Sequence, residues 1–287
     1  MKTKNVLYFL FFSILGTQSI WSQNSLNVMS FNVRYDELFY DADNTSMDDW
    51  PHRKGFQADL LEFHQPDVIG MQEPLGHQVA YFSKELPDYG WIGVGREDGK
   101  NEGEYNPIFY KKDKMELLSS GTFWLSQNPE KPSKSWDAVY TRICTWALFR
   151  LKGSGSKFYV FNTHFDSKGE KARLESARLI NSRIKDLEAH IPVFVIGDFN
   201  FTPDSPAYAT ITGQSLQDSK VVSTVDPYGP EGTFSGFRFD KAPTNRIDYI
   251  FVNKKVKALR YGVLTDNKNQ RYPSDHLPVT VFARFSE

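Results

Sequence analysis

A single cysteine, Cys144, occurs in the 287 residues. No intrachain disulfide is available, so a fold of this length must rest on its core. Cys144 lies in the apolar-looking Ile143-Cys144-Thr145-Trp146 and reads as buried filler, not as a nucleophile. An excess of charge of one sign is also missing: Lys and Arg total 34 against 35 Asp and Glu. Without a strongly basic field, capture of long duplex nucleic acid through its phosphates is not expected. The apolar run at residues 6–15 is shorter than the roughly 20 residues a membrane helix needs. Behind Lys2 and Lys4 it reads instead as a signal peptide, residues 1–22, with Ser22 preceding the cleavage point. Residues 23–287 then form one domain, exported to the periplasm or secreted, with no stable membrane insertion.

Several catalytic signatures are absent too. No Gly-x-Ser-x-Gly elbow is present, which disfavours a serine hydrolase. The turn at residues 152–157 superficially resembles a phosphate loop but lacks the Gly-Lys-Ser/Thr ending, and it reads as a hairpin turn. The glycines at 93–99 miss dinucleotide-binding spacing by one residue. There is no internal repeat, low-complexity tract or interdomain linker.

What is there is a core of ordinary size, 40% hydrophobic and 15% aromatic. Alternating or fully apolar stretches predict strands at 26–33, 67–72, 91–95, 106–111, 122–125, 143–152, 158–165, 192–196, 247–252, 259–263 and 277–285. Helical periodicity covers 50–64, with Phe56, Leu60, Leu61 and Phe63 as its apolar side, then 77–86, 169–189 and 206–211. Strands outnumber helices and do not alternate with them regularly. That favours an α/β fold of two packed sheets covered by helices over one doubly wound sheet.

Chemistry-bearing residues cluster at the ends of these strands: Asn32, Glu73, His164, Asp198, Asn200, Asp248 and Asp275-His276. Any one of them could be an ordinary turn residue. As a set they match metal-assisted hydrolysis. Glu73 ends a buried strand and suits Mg²⁺ or Mn²⁺ as a hard oxygen ligand, with Asn32 near it. Asp198 and Asn200, two apart, face one side; the carboxylate can hold or deprotonate water while the amide donates to a phosphoryl oxygen. His164 can donate to the scissile phosphate, and Asp248 can orient His276. Zinc is disfavoured because only two histidines belong to the set. His52, His64, His77 and His190 read as surface or packing residues.

Six pieces occur in order over nearly the whole mature chain: Ser30-Phe31-Asn32-Val33-Arg34-Tyr35, Gly70-Met71-Gln72-Glu73, Asn162-Thr163-His164, Gly197-Asp198-Phe199-Asn200, Arg246-Ile247-Asp248-Tyr249-Ile250 and Ser274-Asp275-His276-Leu277-Pro278. At these residues the chain resembles the endonuclease/exonuclease/phosphatase superfamily, whose best-known member is deoxyribonuclease I, and within it an exported bacterial branch. The resemblance implies a four-layer α/β sandwich of two packed mixed β-sheets flanked by helices. It implies Mg²⁺-dependent (or Mn²⁺-dependent) hydrolysis of a phosphodiester or phosphomonoester. It also implies roles: Glu73 on the metal with Asn32 and Asp275 close by; Asp198 on the attacking water; Asn200, His164 and His276 on the phosphate; Asp248 behind His276. Tyr110 matches a phosphate-contacting tyrosine, and Arg96 and Asp166 a substrate-binding pattern.

Substrate choice is left to the loops. The acidic stretch 97–104 would repel a long polyanion, and residues 232–239 read as an aromatic lid or as a hydrophobic plug. These features point to a monomer acting on a small or oligomeric phosphate ester: a nucleotide, a sugar phosphate or a lipid head group. A deadenylase-like 3′-5′ exoribonuclease or other nuclease is the alternative. A non-catalytic phosphate-ligand binding protein is the opposing class.

Overall fold

A computed structural model describes residues 24–39, 46–188 and 190–286; the expected signal peptide, residues 1–22, lies outside them. Among the described residues, twelve strands form two six-stranded mixed sheets. The first contains β1 (Ser25–Asn32), β2 (Val68–Gln72), β3 (Tyr89–Ile92), β4 (Ile108–Lys111), β11 (Val256–Val263) and β12 (Val279–Phe285), in the order β11-β12-β1-β2-β4-β3. The second contains β5 (Met115–Trp124), β6 (Ile143–Leu151), β7 (Lys157–His164), β8 (Val193–Asp198), β9 (Leu216–Asp218) and β10 (Asp248–Asn253), in the order β5-β6-β7-β8-β10-β9. Four α-helices complete the layers: α1 (Trp50–His64), α2 (Gly76–Glu85), α3 (Glu170–Lys185) and α4 (Pro206–Thr212). None of the described helices is long and apolar enough to cross a membrane.

Strand parity explains the layering. On β1, Leu26 and Val28 face the other sheet, while Met29 and Phe31 face α1 and α2. On β8, Phe194 and Ile196 face inward, while Val195 packs under α3 and α4 with Ala177, Ile180 and Ile211. Both faces of the central strands are therefore buried, which is why these segments read as nearly continuous apolar runs. The same period of two puts Asn32, Asn162, His164, Asp198 and Asp248 on the inter-sheet face.

Pairing register then brings the polar ends level. His164 on β7 is opposite Asp198 on β8, and Asp198 is opposite Asp248 on β10. On the first sheet Asn32 is opposite Gln72 on β2, and Ser30 is opposite Val279, so Asp275 and His276 fall just ahead of β12 beside Asn32. The two rows face each other across one edge of the sandwich.

The sheets approach closely where Gly70 meets the other layer: an added Cβ would lie 2.5 Å from Ile196 Cδ1 and 2.7 Å from Asn162 Cγ. Overpacking of this kind costs about 1–3 kcal/mol. Gly70→Ala is expected to lower the urea midpoint at unchanged m-value; an unaltered midpoint would show that the layers slide freely there.

Two expectations need correction, and one strand was not expected. Phe63, assigned to the apolar side of α1, is 81% exposed. Buried Arg53 and Gln57 take that face because they donate to the carbonyls of Val33 and Pro273, tying α1 to the segment before Asp275. β5 starts at Met115 and not at 122; polar Glu116, Ser119 and Ser120 and a bulge between Leu117 and Ser119 obscure its alternation. β9, three residues long, gave no readable pattern.

Candidate active site

The strand ends open into a cleft of about 1150 Å³ lined by Glu73, His164, Asp198, Asn200, Asp275 and His276, and by Arg34, Arg96, Glu104, Tyr140, Arg142, Lys168 and Phe234. Asn32 is the link at its floor. Its Nδ2 donates to Glu73 Oε1 at 2.9 Å and to Asp198 Oδ2 at 3.0 Å, joining the sheets. Its Oδ1 accepts from the Arg34 N–H at 3.0 Å, which fixes the amide orientation. Asn32 thus turns a nitrogen, not an oxygen, toward the carboxylates. Arg34, Glu73 and Asn200 all have φ between 51° and 74°. Left-handed backbone at three non-glycine residues of one site is the kind of strain folded proteins hold at working centres.

The two histidines are driven apart in charge. Burial would lower the basicity of His276, but Asp248, Asp198 and Asp275 outweigh it and hold the imidazole well above its usual range. Its Nδ1 donates to Asp248 Oδ2 at 2.9 Å, and its Nε2 faces Asp198 Oδ2 at 3.7 Å. Asp248 is itself fixed by the Thr233 hydroxyl at 2.5 Å. His164 goes the other way: burial first, then Arg142 and Arg96, push it well below the usual range. Arg142 Nη1 lies 2.9 Å from His164 Nδ1. A guanidinium only donates, so Nδ1 is the acceptor and the neutral ring carries its proton on Nε2. Asn200 Nδ2, oriented by its bond to the Phe165 carbonyl, lies 3.0 Å from that same Nε2. Two donors thus meet beside Asp198 Oδ2, which lies 3.4 Å from Nε2, a place for a phosphoryl oxygen.

The carboxylates differ in the same way. Burial raises Glu73, but Arg34, His276, Asn32 and the Tyr35 N–H more than reverse it. For Asp198, burial, Asp248 and Glu73 prevail over His276 and lift its pKa to about 7. Asp275 is raised by burial and by Glu73 despite His276 and Arg34.

Among the described residues, Glu73, His164 and Asp198 have donor atoms all within 4.8 Å of one another, as do Asp198, Asp248 and His276. Arg34 Nη1 stands 3.8 Å from both Glu73 Oε2 and Asp275 Oδ2, a cation already facing two buried carboxylates. His164 has its unprotonated nitrogen engaged by Arg142, so the available donors are carboxylate oxygens. This oxygen-rich, carboxylate-heavy set fits a hard divalent ion and does not resemble a zinc site.

Two residues carried over from the resemblance lie elsewhere. Tyr110 is paired with Val68, at the opposite end of β2 from Glu73, because β4 runs antiparallel; its ring packs on Phe149 between the sheets. Asp166 has no oxygen to spare for a substrate. Its Oδ2 accepts from the N–H groups of Val139 and Tyr140, and its Oδ1 from those of Lys168 and Gly169. It pins two cleft segments together. Arg96 does line the cleft. Tyr140, Arg142 and Lys168 escaped sequence reading, since no chemical motif singled them out; Arg34 and Glu104 stood in segments that were noted, but without a role in the site. Residues 232–239 combine lid and support: Phe234 is 38% exposed, edge-on to His276 at 5.0 Å, while Thr233 is buried against Asp248.

Residues 29–276 match the family described as Endonuclease/Exonuclease/phosphatase family. A solved family protein from Bacteroides thetaiotaomicron is 39% identical, with TM-score 0.86 over 92% of this chain and 98% of that one. The mannosyl-6-phosphatase Bt3783 of the same organism is 39% identical, with TM-score 0.84 over 91% of this chain and 100% of that one. Nocturnin of Mus musculus is 23% identical over 307 residues, covering 95% of this chain and 68% of its own length.

Proposed function

Because the chain belongs to the endonuclease/exonuclease/phosphatase family, whose members hydrolyse phosphate esters, we propose that it removes the terminal phosphate from a small sugar phosphate. The observation that carries hydrolysis is the convergence of two histidines on Asp198, His164 at 3.4 Å and His276 at 3.7 Å, with Asn200 beside the first and Asp248 behind the second. The sugar phosphate is supported by the likeness to the mannosyl-6-phosphatase over the whole length of that protein.

In this reading His164 Nε2 and Asn200 Nδ2 donate to one phosphoryl oxygen. The His276 imidazolium, held by Asp248, donates to another and offsets charge as it develops. Asp198, its pKa lifted toward neutrality, takes a proton from the attacking water. Glu73 and Asp275 would hold Mg²⁺ or Mn²⁺, which when bound supplies Lewis-acid charge at the phosphate. Asn32 keeps the Glu73 and Asp198 carboxylates apart and oriented.

Release of inorganic phosphate from mannose 6-phosphate in Mg²⁺, set against cleavage of an oligoadenylate, tests the proposal. Phosphate release with little oligonucleotide cleavage is expected; the reverse preference would establish the nuclease reading. The feature that favours that second reading is Phe234, an exposed ring beside His276 on which a base can stack. Export is proposed from the N-terminal pattern alone. The mature mass should then lack residues 1–22, and retention of the full chain in the cytoplasm would overturn it.

A further inference from the structure

One side of the cleft is a buried cationic wall that the hydrolytic chemistry touches only through the contact of Arg142 with His164. Arg96 Nη1 lies 2.5 Å from Glu104 Oε2, and Arg142 Nη1 lies 3.5 Å from the same oxygen. Side-chain exposure is only 11%, 14% and 7% for Arg96, Glu104 and Arg142. Two guanidinium groups thus share one buried carboxylate. The other acid on Arg96, Glu97 at 3.0 Å, is 44% exposed and screened by solvent. Tyr140 covers both guanidiniums, its ring centre 5.6 Å from Arg96 and 5.2 Å from Arg142, and its backbone is held by Asp166 at 2.8 Å.

Arg142 is also short of a partner. Its protein contacts run through Nη1, to His164 and Glu104, and its buried Nε has no acceptor among the described residues. An unpaired donor in so enclosed a place is costly, and an anion in the cleft that Arg142 lines would offset the charge of its guanidinium. Contact with His164 Nδ1 places this donor beside the histidine whose Nε2 is assigned to the phosphoryl oxygen.

We propose that the Arg96–Glu104–Arg142 wall selects a terminal phosphate over a phosphodiester. The inference rests on the hydrolase reading above and deepens it. A terminal phosphate carries about −1.5 to −2 charge near neutral pH, whereas a diester carries one negative charge and one fewer non-bridging oxygen. A planar guanidinium pair suits the additional oxygen and charge. The second arm of a diester would have to lie against this closed, buried side.

The test compares 4-nitrophenyl phosphate with bis(4-nitrophenyl) phosphate, which share a leaving group, using the full-length Mg²⁺-loaded enzyme. Wild type is expected to favour the monoester in kcat/KM. In Arg96→Gln the monoester-to-diester ratio should fall roughly 10- to 100-fold, the size expected for loss of a charged hydrogen bond. Arg142→Lys, which keeps charge but loses the planar fork, should lower the ratio in the same direction. Thermal melting confirms that each variant folds, and if one does not, the other decides. An unchanged ratio in a folded variant, with a monoester-selective wild type, overturns the role of the wall and leaves the phosphatase reading standing. A wild type that prefers the diester overturns both.

Discussion

Asp198→Asn is expected to lower kcat/KM by about a thousandfold or more, within the range for losing a positioned general base. The substitution keeps size and shape. The oxygen of the introduced amide can still accept from Asn32 or from the Asn200 N–H, which reach the native carboxylate at 3.0 Å each. What is lost is the basic oxygen facing His164 at 3.4 Å and His276 at 3.7 Å. Stability should not fall with activity. Burial and the charges of Asp248 and Glu73 already lift the Asp198 pKa to about 7, so its ionised form costs the fold something that an amide does not. The sign for pH follows. A raised carboxyl is a base only above its folded pKa, so wild-type activity should drop as pH falls through that region. A bound divalent ion, by favouring the carboxylate, moves the drop to lower pH. A folded Asp198→Asn variant with wild-type kcat/KM would remove Asp198 from the chemistry.

Glu73→Gln should produce a loss of similar size together with a second, independent signature. Ions that bind only the folded chain stabilise it by RT ln(1 + [L]/Kd) and so raise its melting temperature. Wild type is expected to melt higher as Mg²⁺ or Mn²⁺ is added. The Glu73→Gln variant should melt at one temperature whatever the ion concentration, because it keeps the size of the side chain and one of the two accepted contacts, from Asn32 or from the Tyr35 N–H, but loses the charge. An equal Mg²⁺-dependent rise in both proteins would place the ion elsewhere. Arg34, 3.8 Å from Glu73 and Asp275, is the residue that must give way or share when an ion enters.

Much of this site was legible before any coordinates, and the reason is geometric. Asn32, His164 and Asp198 close apolar runs that read as strands and Asp248 opens one, so they fell at strand ends in the sequence, and the pairing register brings those ends level. The helix Trp50–His64 was readable from its apolar periodicity, and Pro51 and the left-handed Gln65 mark its ends in the structure. What could not be read depends on long-range pairing. Arg142 and His164 are 22 residues apart and meet only through the β6–β7 hairpin. Glu104 looked like part of a repulsive acidic loop until Arg96 and Arg142 were found neutralising it. Tyr110 had a plausible local motif, but antiparallel pairing carried it to the far end of its neighbour strand. Asp166, a substrate-binding candidate by the resemblance, is saturated by four backbone N–H groups, two of them from the loop at 139–140.

The most direct test is phosphate release from mannose 6-phosphate by the full-length chain, first stripped of ions with EDTA and then titrated with Mg²⁺. Gathering acids, amides and imidazoles at one sandwich edge predicts a silent stripped protein and saturable recovery as the ion is restored. Undiminished turnover in EDTA, or no ester cleaved at any ion concentration, would contradict it.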